Sequence, residues 1–146
     1  MSSAQSANQF ISHRADGLCP CCNSLLQKVQ RDLLEISGLV AKPISEPVRT
    51  SLNPLIEEVR DSGRLMLDAL RRCFEEGQAP TYPTAYEASV TRFERGIDAL
   101  AVSGGVRGIT EAGVFHLYAL RFAFAKLARD MRELVDELSI RKESHP

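Results

Sequence analysis

The residues best able to do chemistry are crowded into the segment "DGLCPCC" near the amino terminus. Cys19, Cys21 and Cys22 lie within four positions, and His13 precedes them. Three thiolates and one imidazole supply the four ligands that zinc or cuprous copper takes in proteins. Zinc sites usually use cysteine pairs separated by two or more residues, whereas adjacent cysteine side chains rarely converge on one ion. Three alternatives follow: a metal site, a redox-reactive thiol, or an exposed segment with incidental cysteines.

The remaining motifs favour structural roles. His116 has no acidic residue at the E-x-x-H spacing of di-metal bundle sites, and its aromatic neighbours indicate a packed or capping side chain. The glycine-rich "SGGVRG" at residues 103–108 lacks the G-K-[ST] ending of a phosphate-binding loop, so it indicates a helix stop followed by a turn. No arrangement of Ser, His and Asp stands out as a nucleophile with its base. The sequence therefore predicts a non-catalytic protein with no catalytic residue, cofactor or metal ion.

Composition limits the classes of protein further. The chain has 146 residues, 44% hydrophobic and 25% charged, which is normal for one globular domain with a buried core. Its 18 basic and 19 acidic residues are interspersed, which disfavours nucleic-acid binding. No signal-peptide pattern opens the sequence, and no uninterrupted apolar run reaches the roughly 18 residues that a bilayer span needs. Together with the clustered cysteines, these features predict a cytoplasmic protein without a transmembrane segment.

Four segments carry apolar residues three and four positions apart, which is the spacing of one helix face. These stripes are Leu26, Val29, Leu33, Ile36 and Val40; Val48, Leu52, Leu55, Val59, Met66, Leu70 and Cys73; Tyr86, Val90, Phe93, Ile97 and Leu100; and Leu117, Leu120, Phe124, Leu127, Met131, Leu134 and Leu138. We predict an all-α antiparallel bundle of about four helices over residues 23–140, with flexible tails at 1–22 and 141–146. Asn53 and Pro54 predict a kink or a break in the second helix.

Turn and cap residues separate these helices. Gly77 is expected to end the second helix in a left-handed cap. Thr84 and Glu87 have the spacing of a capping box, which would open the third helix. Thr110 is expected to cap the fourth helix.

The fourth helix changes character along its length. Up to Ala125 it is apolar nearly all round, because Phe115, Tyr118 and Phe122 lie off its stripe. From Lys126 onward, basic residues stand four positions before acidic ones, which predicts a solvated half with a ladder of ion pairs. The aromatic half is therefore expected to lie centrally in the bundle or to meet another surface. Either the amino-terminal tail or the second helix covers the three aromatic residues, or they form an interaction surface.

Residues 93–138, together with Arg92 just before them, resemble the soluble carboxy-terminal helical segment of the fusaric acid resistance family, the aromatic acid exporters. That segment has a helix with R-x-x-G, a short glycine- or arginine-bearing turn, and an aromatic-rich helix ending in L-x-x-D-[LM]-R-x-L. The residues that carry the resemblance are Arg92, Arg95, Gly96, Leu117, Tyr118, Phe122, Phe124, Leu127, Asp130, Met131, Arg132 and Leu134. The similarity covers about the last third of the chain.

Family members carry membrane-spanning segments, and this sequence has none. The resemblance therefore implies that this chain does not transport a solute by itself. It implies a cytoplasmic interaction or regulatory module, held at the inner face of a membrane through a partner. The expected partners are a membrane transport subunit or a second copy of the chain. The alternative function is a small metal-binding or thiol redox sensor built on Cys19, Cys21 and Cys22.

Overall fold

Four helices make up the fold in a computed structural model that describes residues 20–46 and 48–144, the last four of these by backbone alone. The helices are α1 (Pro20–Val40), α2 (Val48–Glu76), α3 (Thr84–Ser103) and α4 (Glu111–Ser144). No strand occurs within these ranges. The predicted all-α bundle is confirmed. None of the described helices is long and apolar enough to cross a bilayer.

Most of the predicted helix ends are found where the sequence places them. Gly77 follows the last residue of α2 with φ 69°, and Gly104 ends α3 with φ 76°, both in the left-handed region that glycine tolerates. Thr110 caps α4, because its Oγ1 accepts a hydrogen bond of 3.1 Å from the backbone N–H of Gly113. The structure places the first residue of α1 at Pro20, three residues before the expected start.

One local expectation needs correction, and one of two alternatives is excluded. The capping box at the start of α3 is not formed, because Pro83 occupies the cap position and makes no side-chain hydrogen bond there. The carboxylate of Glu87 instead accepts hydrogen bonds from Arg132 on α4. Of the kink or break expected at Asn53 and Pro54, the break is absent, since α2 continues through Pro54 as a single helix.

Each helix runs antiparallel to the one it packs against, and the order in space is α1, α4, α3, α2. Gly96 allows α3 to lie close to α2, since a side chain at this position would collide with Leu55. Although α1 and α2 are consecutive in the chain, their described backbones do not approach each other closely. Among the described helices, the bundle is therefore open along the side between α1 and α2.

The core joins all four stripes. Its largest fully buried apolar side chains are Phe93, Leu26, Leu52, Ile97, Leu120, Met131 and Leu134. The rings of Phe93 and Phe124 meet edge to face, with centroids 5.3 Å apart. Each large apolar side chain enclosed in this way contributes roughly 1.5–3 kcal/mol, so burial of the stripes drives folding.

Polar contacts fix the register of α3 against both neighbours. The hydroxyl groups of Ser62 on α2 and Ser89 on α3 lie 2.7 Å apart. Ion pairs between helices join Glu58 to Arg92, Asp98 to Arg121, and Glu87 to Arg132. Because these contacts occur on both sides of α3, sliding of α2 or α4 along it would break several of them together.

Candidate functional site

The three aromatic residues singled out by the sequence lie together on the outer face of α4. Phe115 is 67% exposed, Tyr118 48% and Phe122 61%. Their spacing of three and four residues places them in one row, which we call the aromatic stripe. Large aromatic side chains are normally among the most buried in a domain, so three exposed neighbours form a surface suited to contact with another molecule.

The expected division of α4 into an enclosed half and a solvated half is wrong. The second half is the more deeply packed, since Leu127, Met131 and Leu134 are all buried. The expected ion-pair ladder is replaced by contacts between helices. Lys126 pairs with Asp32 on α1 at 3.3 Å, and Arg132 with a carboxylate on α3. The sequence pattern suggested local pairs because it does not show which partners a neighbouring helix brings.

The cysteine cluster is only partly described. Cys19 and His13 lie outside the described residues, so the alternative of a metal site that uses them stays untested. Cys21 is exposed in the first turn of α1, whereas Cys22 is fully buried beneath it. Within the described ranges no group of three or more metal-binding side chains comes together.

His116 has a structural position. Its Nε2 lies 2.7 Å from the backbone carbonyl oxygen of Leu39, near the end of α1. The contact ties the last turn of α1 to the first turns of α4. This agrees with the expectation that His116 is a packed or capping side chain.

A cleft of about 510 Å³ lies along the open side of the bundle. Its floor is formed by Tyr86, Phe124 and Leu127, which are all buried in the core. Its walls come from α1 and α2, and their apolar members include Leu33, Ile36, Val40, Ile56, Val59, Met66 and Leu67. The volume falls within the range of small-ligand pockets, roughly 300–1,000 Å³.

Few polar groups line this cleft. The hydroxyl of Tyr86 donates a hydrogen bond of 3.1 Å to the carbonyl oxygen of Phe124, so it is already satisfied. Ser37 lies on the α1 wall, and Arg60 and Arg64 lie on the α2 wall. No acidic side chain is among the described residues that line it. The cleft is thus apolar inside, with two arginine side chains along one wall, of which Arg60 is paired with Glu57.

A pair of buried carboxyl groups lies between α1 and α4. Asp32 is 1% exposed and Asp130 5% exposed. Lys126 forms an ion pair with Oδ1 of Asp32 at 3.3 Å, but no described group completes a hydrogen bond of good geometry to either oxygen of Asp32 or to Oδ2 of Asp130. Two ionised carboxylates repel each other and offer only acceptors, so a proton held between them supplies a donor to the pair.

The surroundings of Asp32 favour its protonated form. Burial raises its pKa from 3.8 to about 7, and the hydrogen bond and negative charge of Asp130 act in the same direction. Lys126 lowers the pKa of Asp32, because its ammonium group lies 3.3 Å from Oδ1 and favours the ionised form. Burial also raises the pKa of Tyr86, with a smaller contribution from the charge of Asp32. Asp32 is therefore expected to change from its protonated to its ionised form near neutral pH.

Sequence reasoning missed this acid pair, although a signal was present. Asp32 lies three residues after Val29, and Asp130 lies three residues after Leu127, so each sits within an apolar stripe. An acidic residue on a core-facing stripe needs a partner, since an isolated buried carboxylate is costly. The cleft carried no such signal, because it arises from the separation of two helices and not from residue type.

Comparison with known protein families, characterised proteins and solved structures finds no match for this chain. The resemblance to the aromatic acid exporters therefore stays a prediction that rests on the sequence motifs alone.

Proposed function

We propose that the chain is a non-catalytic interaction module that associates with a second copy of itself through the aromatic stripe of α4. The observation that supports this most directly is the exposure of Phe115, Tyr118 and Phe122 in one row. Nothing in the fold of the described helices requires aromatic side chains on this outer face, because the stripe that builds the core lies on the opposite side of α4.

The spacing of the stripe favours a second copy as the partner. The row has the same order, phenylalanine, tyrosine and phenylalanine, when it is read in either direction along α4. In a two-fold antiparallel pairing, Phe115 of one copy lies against Phe122 of the other, and the two Tyr118 side chains meet at the axis. Such an isologous contact satisfies both surfaces at once.

The area of the stripe sets the strength of the contact. An aromatic side chain covers about 150–250 Å² when it is fully buried. The three side chains of the stripe are about three-fifths exposed, so they offer about 350 Å² of surface per copy for contact. A stable interface usually buries roughly 800 Å² on each partner. We therefore expect a weak, concentration-dependent dimer unless a further surface adds to the contact. A membrane-embedded subunit, which the sequence resemblance implies, is the alternative source of such a surface.

Sedimentation equilibrium over a range from micromolar to millimolar protein tests this proposal. The parent chain should pass from monomer to dimer, and the double variant Phe115→Gln with Phe122→Gln should remain monomeric. Leu65→Gln is the matched control, because Leu65 is also a large exposed apolar residue but lies on α2. Its dimerisation should equal that of the parent.

Two outcomes would overturn self-association through α4. One is a parent chain that stays monomeric at millimolar concentration, which would leave a different molecule as the partner. The other is a dimer that the double variant forms as readily as the parent. Helical circular dichroism of every variant should match the parent, since none of the changed side chains is buried.

A further inference from the structure

We propose that the buried acid pair of Asp32 and Asp130 acts as a proton-dependent latch, which holds α1 against α4 and releases α1 when the pair ionises. In the released state α2, α3 and α4 stay folded together. Release of α1 does not involve the aromatic stripe, so it is independent of the proposed self-association.

The position of α1 in the bundle allows it to leave alone. It lies at one end of the spatial order, and among the described helices its backbone closely approaches only that of α4. The other three helices are joined to one another by contacts that do not include α1. Examples are the hydroxyl contact of Ser62 with Ser89, which joins α2 to α3, and the ion pair of Glu87 with Arg132, which joins α3 to α4. Separation of α1 from α4 leaves these contacts in place.

The acid pair lies inside the contact that must break. Asp32 is 1% exposed and Asp130 5% exposed. Their neighbours along the two helices, Val29 and Leu33 on α1 and Leu127 on α4, are buried as well. In such surroundings a proton shared by the two carboxyl groups joins the helices, whereas two ionised carboxylates repel each other and lack water to solvate them. The protonation of the pair therefore changes the stability of this one contact between helices.

Groups on two other helices act on the charge of Asp32. Burial raises its pKa from 3.8 to about 7, Asp130 on α4 raises it further, and Lys126 on α4 lowers it from a distance of 3.3 Å. On α3, the hydroxyl of Tyr86 is close enough for its own pKa to be raised by the charge of Asp32. The charged side chains of α1 within one turn of Asp32 are exposed, and they are Lys28, Arg31 and Glu35. Burial and Asp130 outweigh Lys126, so docked α1 favours the protonated form.

The direction of the pH effect follows from the two positions of α1. When α1 is released, the carboxyl group of Asp32 lies in water and titrates near its ordinary pKa of 3.8, whereas in docked α1 its pKa is about 7. Between these values docking takes up a proton, so α1 is held most firmly below pH 4 and less firmly as the pH rises to about 7. From pH 5 to pH 7 the ratio of released to docked chain should rise about 50-fold.

Native-state hydrogen exchange, resolved by residue, measures this release. Protection factors are corrected for the intrinsic pH dependence of amide exchange and compared between α1 and α3, at pH 5 and pH 7, in urea concentrations below the unfolding transition. We expect the amides of α1 to be less protected than those of α3 and to depend less on urea, because release of one helix exposes less surface than global unfolding. The protection of α1 should fall about 50-fold from pH 5 to pH 7.

Substitutions in the acid pair separate the latch from other effects of pH. In Asp32→Asn the fold-change of α1 protection should disappear, since asparagine does not titrate and still donates a hydrogen bond to Asp130. Asp130→Asn should reduce the fold-change and Lys126→Gln should enlarge it, because the first raises and the second lowers the pKa of Asp32. Glu35→Gln is the matched control, an exposed acidic residue of α1 that should keep the fold-change of the parent. Groups that do not interact with Asp32, such as His116 at Leu39, cancel in these comparisons.

Three results would overturn the latch. The first is equal protection and equal urea dependence of the amides of α1 and α3, because α1 would then open only when the whole chain unfolds. The second is a protection of α1 in the parent that does not change between pH 5 and pH 7. The third is an Asp32→Asn variant that keeps the pH dependence of the parent. The first two are decided by the parent chain alone, so they hold even where a variant does not fold.

Discussion

Replacing Asp32 by asparagine should change how the stability of the protein depends on pH. Asp32 on α1 faces Asp130 and Lys126 on α4 and is also close enough to Tyr86 on α3 to influence its pKa. Asparagine has nearly the same shape as a protonated aspartic acid and donates a hydrogen bond to Asp130, but it does not titrate. The variant therefore keeps the neutral form of this side chain at every pH.

The expected size of the effect follows from the raised pKa of Asp32. A rise from 3.8 to about 7 is about three pKa units, and at 1.36 kcal/mol per unit it corresponds to about 4 kcal/mol. Between these pH values the folded chain keeps a proton that the unfolded chain has released, so the free energy of unfolding falls as the pH rises. The contribution is complete below pH 4 and is lost by about pH 7. Against a typical total of 5–15 kcal/mol, this is a large share.

Urea unfolding followed by circular dichroism from pH 4 to pH 8 measures the effect. The difference in the free energy of unfolding between Asp32→Asn and the parent should grow by about 4 kcal/mol in favour of the variant across this range. Titrating groups that do not interact with Asp32 are common to both proteins and cancel in the difference. Asp61→Asn makes the same substitution at an exposed position of α2, and its profile should stay parallel to that of the parent.

Parallel profiles for Asp32→Asn and the parent would refute the reasoning, because Asp32 would then titrate alike in the folded and unfolded chain. A second measurement follows the carboxyl carbon of Asp32 by nuclear magnetic resonance. In Asp130→Asn its midpoint should move to lower pH, since the hydrogen bond and charge that raise its pKa are removed. An unchanged midpoint would mean that Asp130 has no part in the shift.

Three further predictions concern stability, each measured as the free energy of urea unfolding. Phe93→Ala should lower the free energy of unfolding by about 3–5 kcal/mol, because it leaves a cavity in the core and removes the edge-to-face contact with Phe124. A loss no larger than that caused by a substitution at an exposed position would contradict this packing. Tyr86→Phe should cost about 1 kcal/mol, the net worth of its hydrogen bond to the carbonyl oxygen of Phe124; an unchanged value would show that the bond contributes nothing. Thr110→Ala should cost about 1 kcal/mol through loss of the α4 cap, whereas Thr110→Ser should restore most of it.

The helices were predictable because a regular signal repeats along each of them. Apolar residues recur every three or four positions, and Gly77 and Thr110 stand at ends where backbone geometry favours them. The cap at Thr84 was not predictable from spacing, since the carboxylate of Glu87 has a stronger partner in Arg132, which approaches only in the folded state. Local rules fail where a distant charge competes for the same group.

The candidate functional surfaces also differ in whether the sequence could predict them. The exposed aromatic residues were identified because Phe115, Tyr118 and Phe122 lie off the core stripe of their own helix. The acid pair of Asp32 and Asp130 needed the juxtaposition of the first and last helices, which periodicity does not encode. The cleft depends on how far apart two helices are held, and that distance is set by packing in three dimensions.

The position of α1 against α4 bears on how the protein is made. During synthesis α1 is produced first, but the helix that it packs along is completed only about a hundred residues later at about 5–20 residues per second. Its apolar face, with Leu26, Val29 and Leu33, is without its final neighbour for that interval of several seconds or more. The nascent chain should therefore be most prone to aggregation, and most responsive to chaperones, until the last helix has emerged from the ribosome.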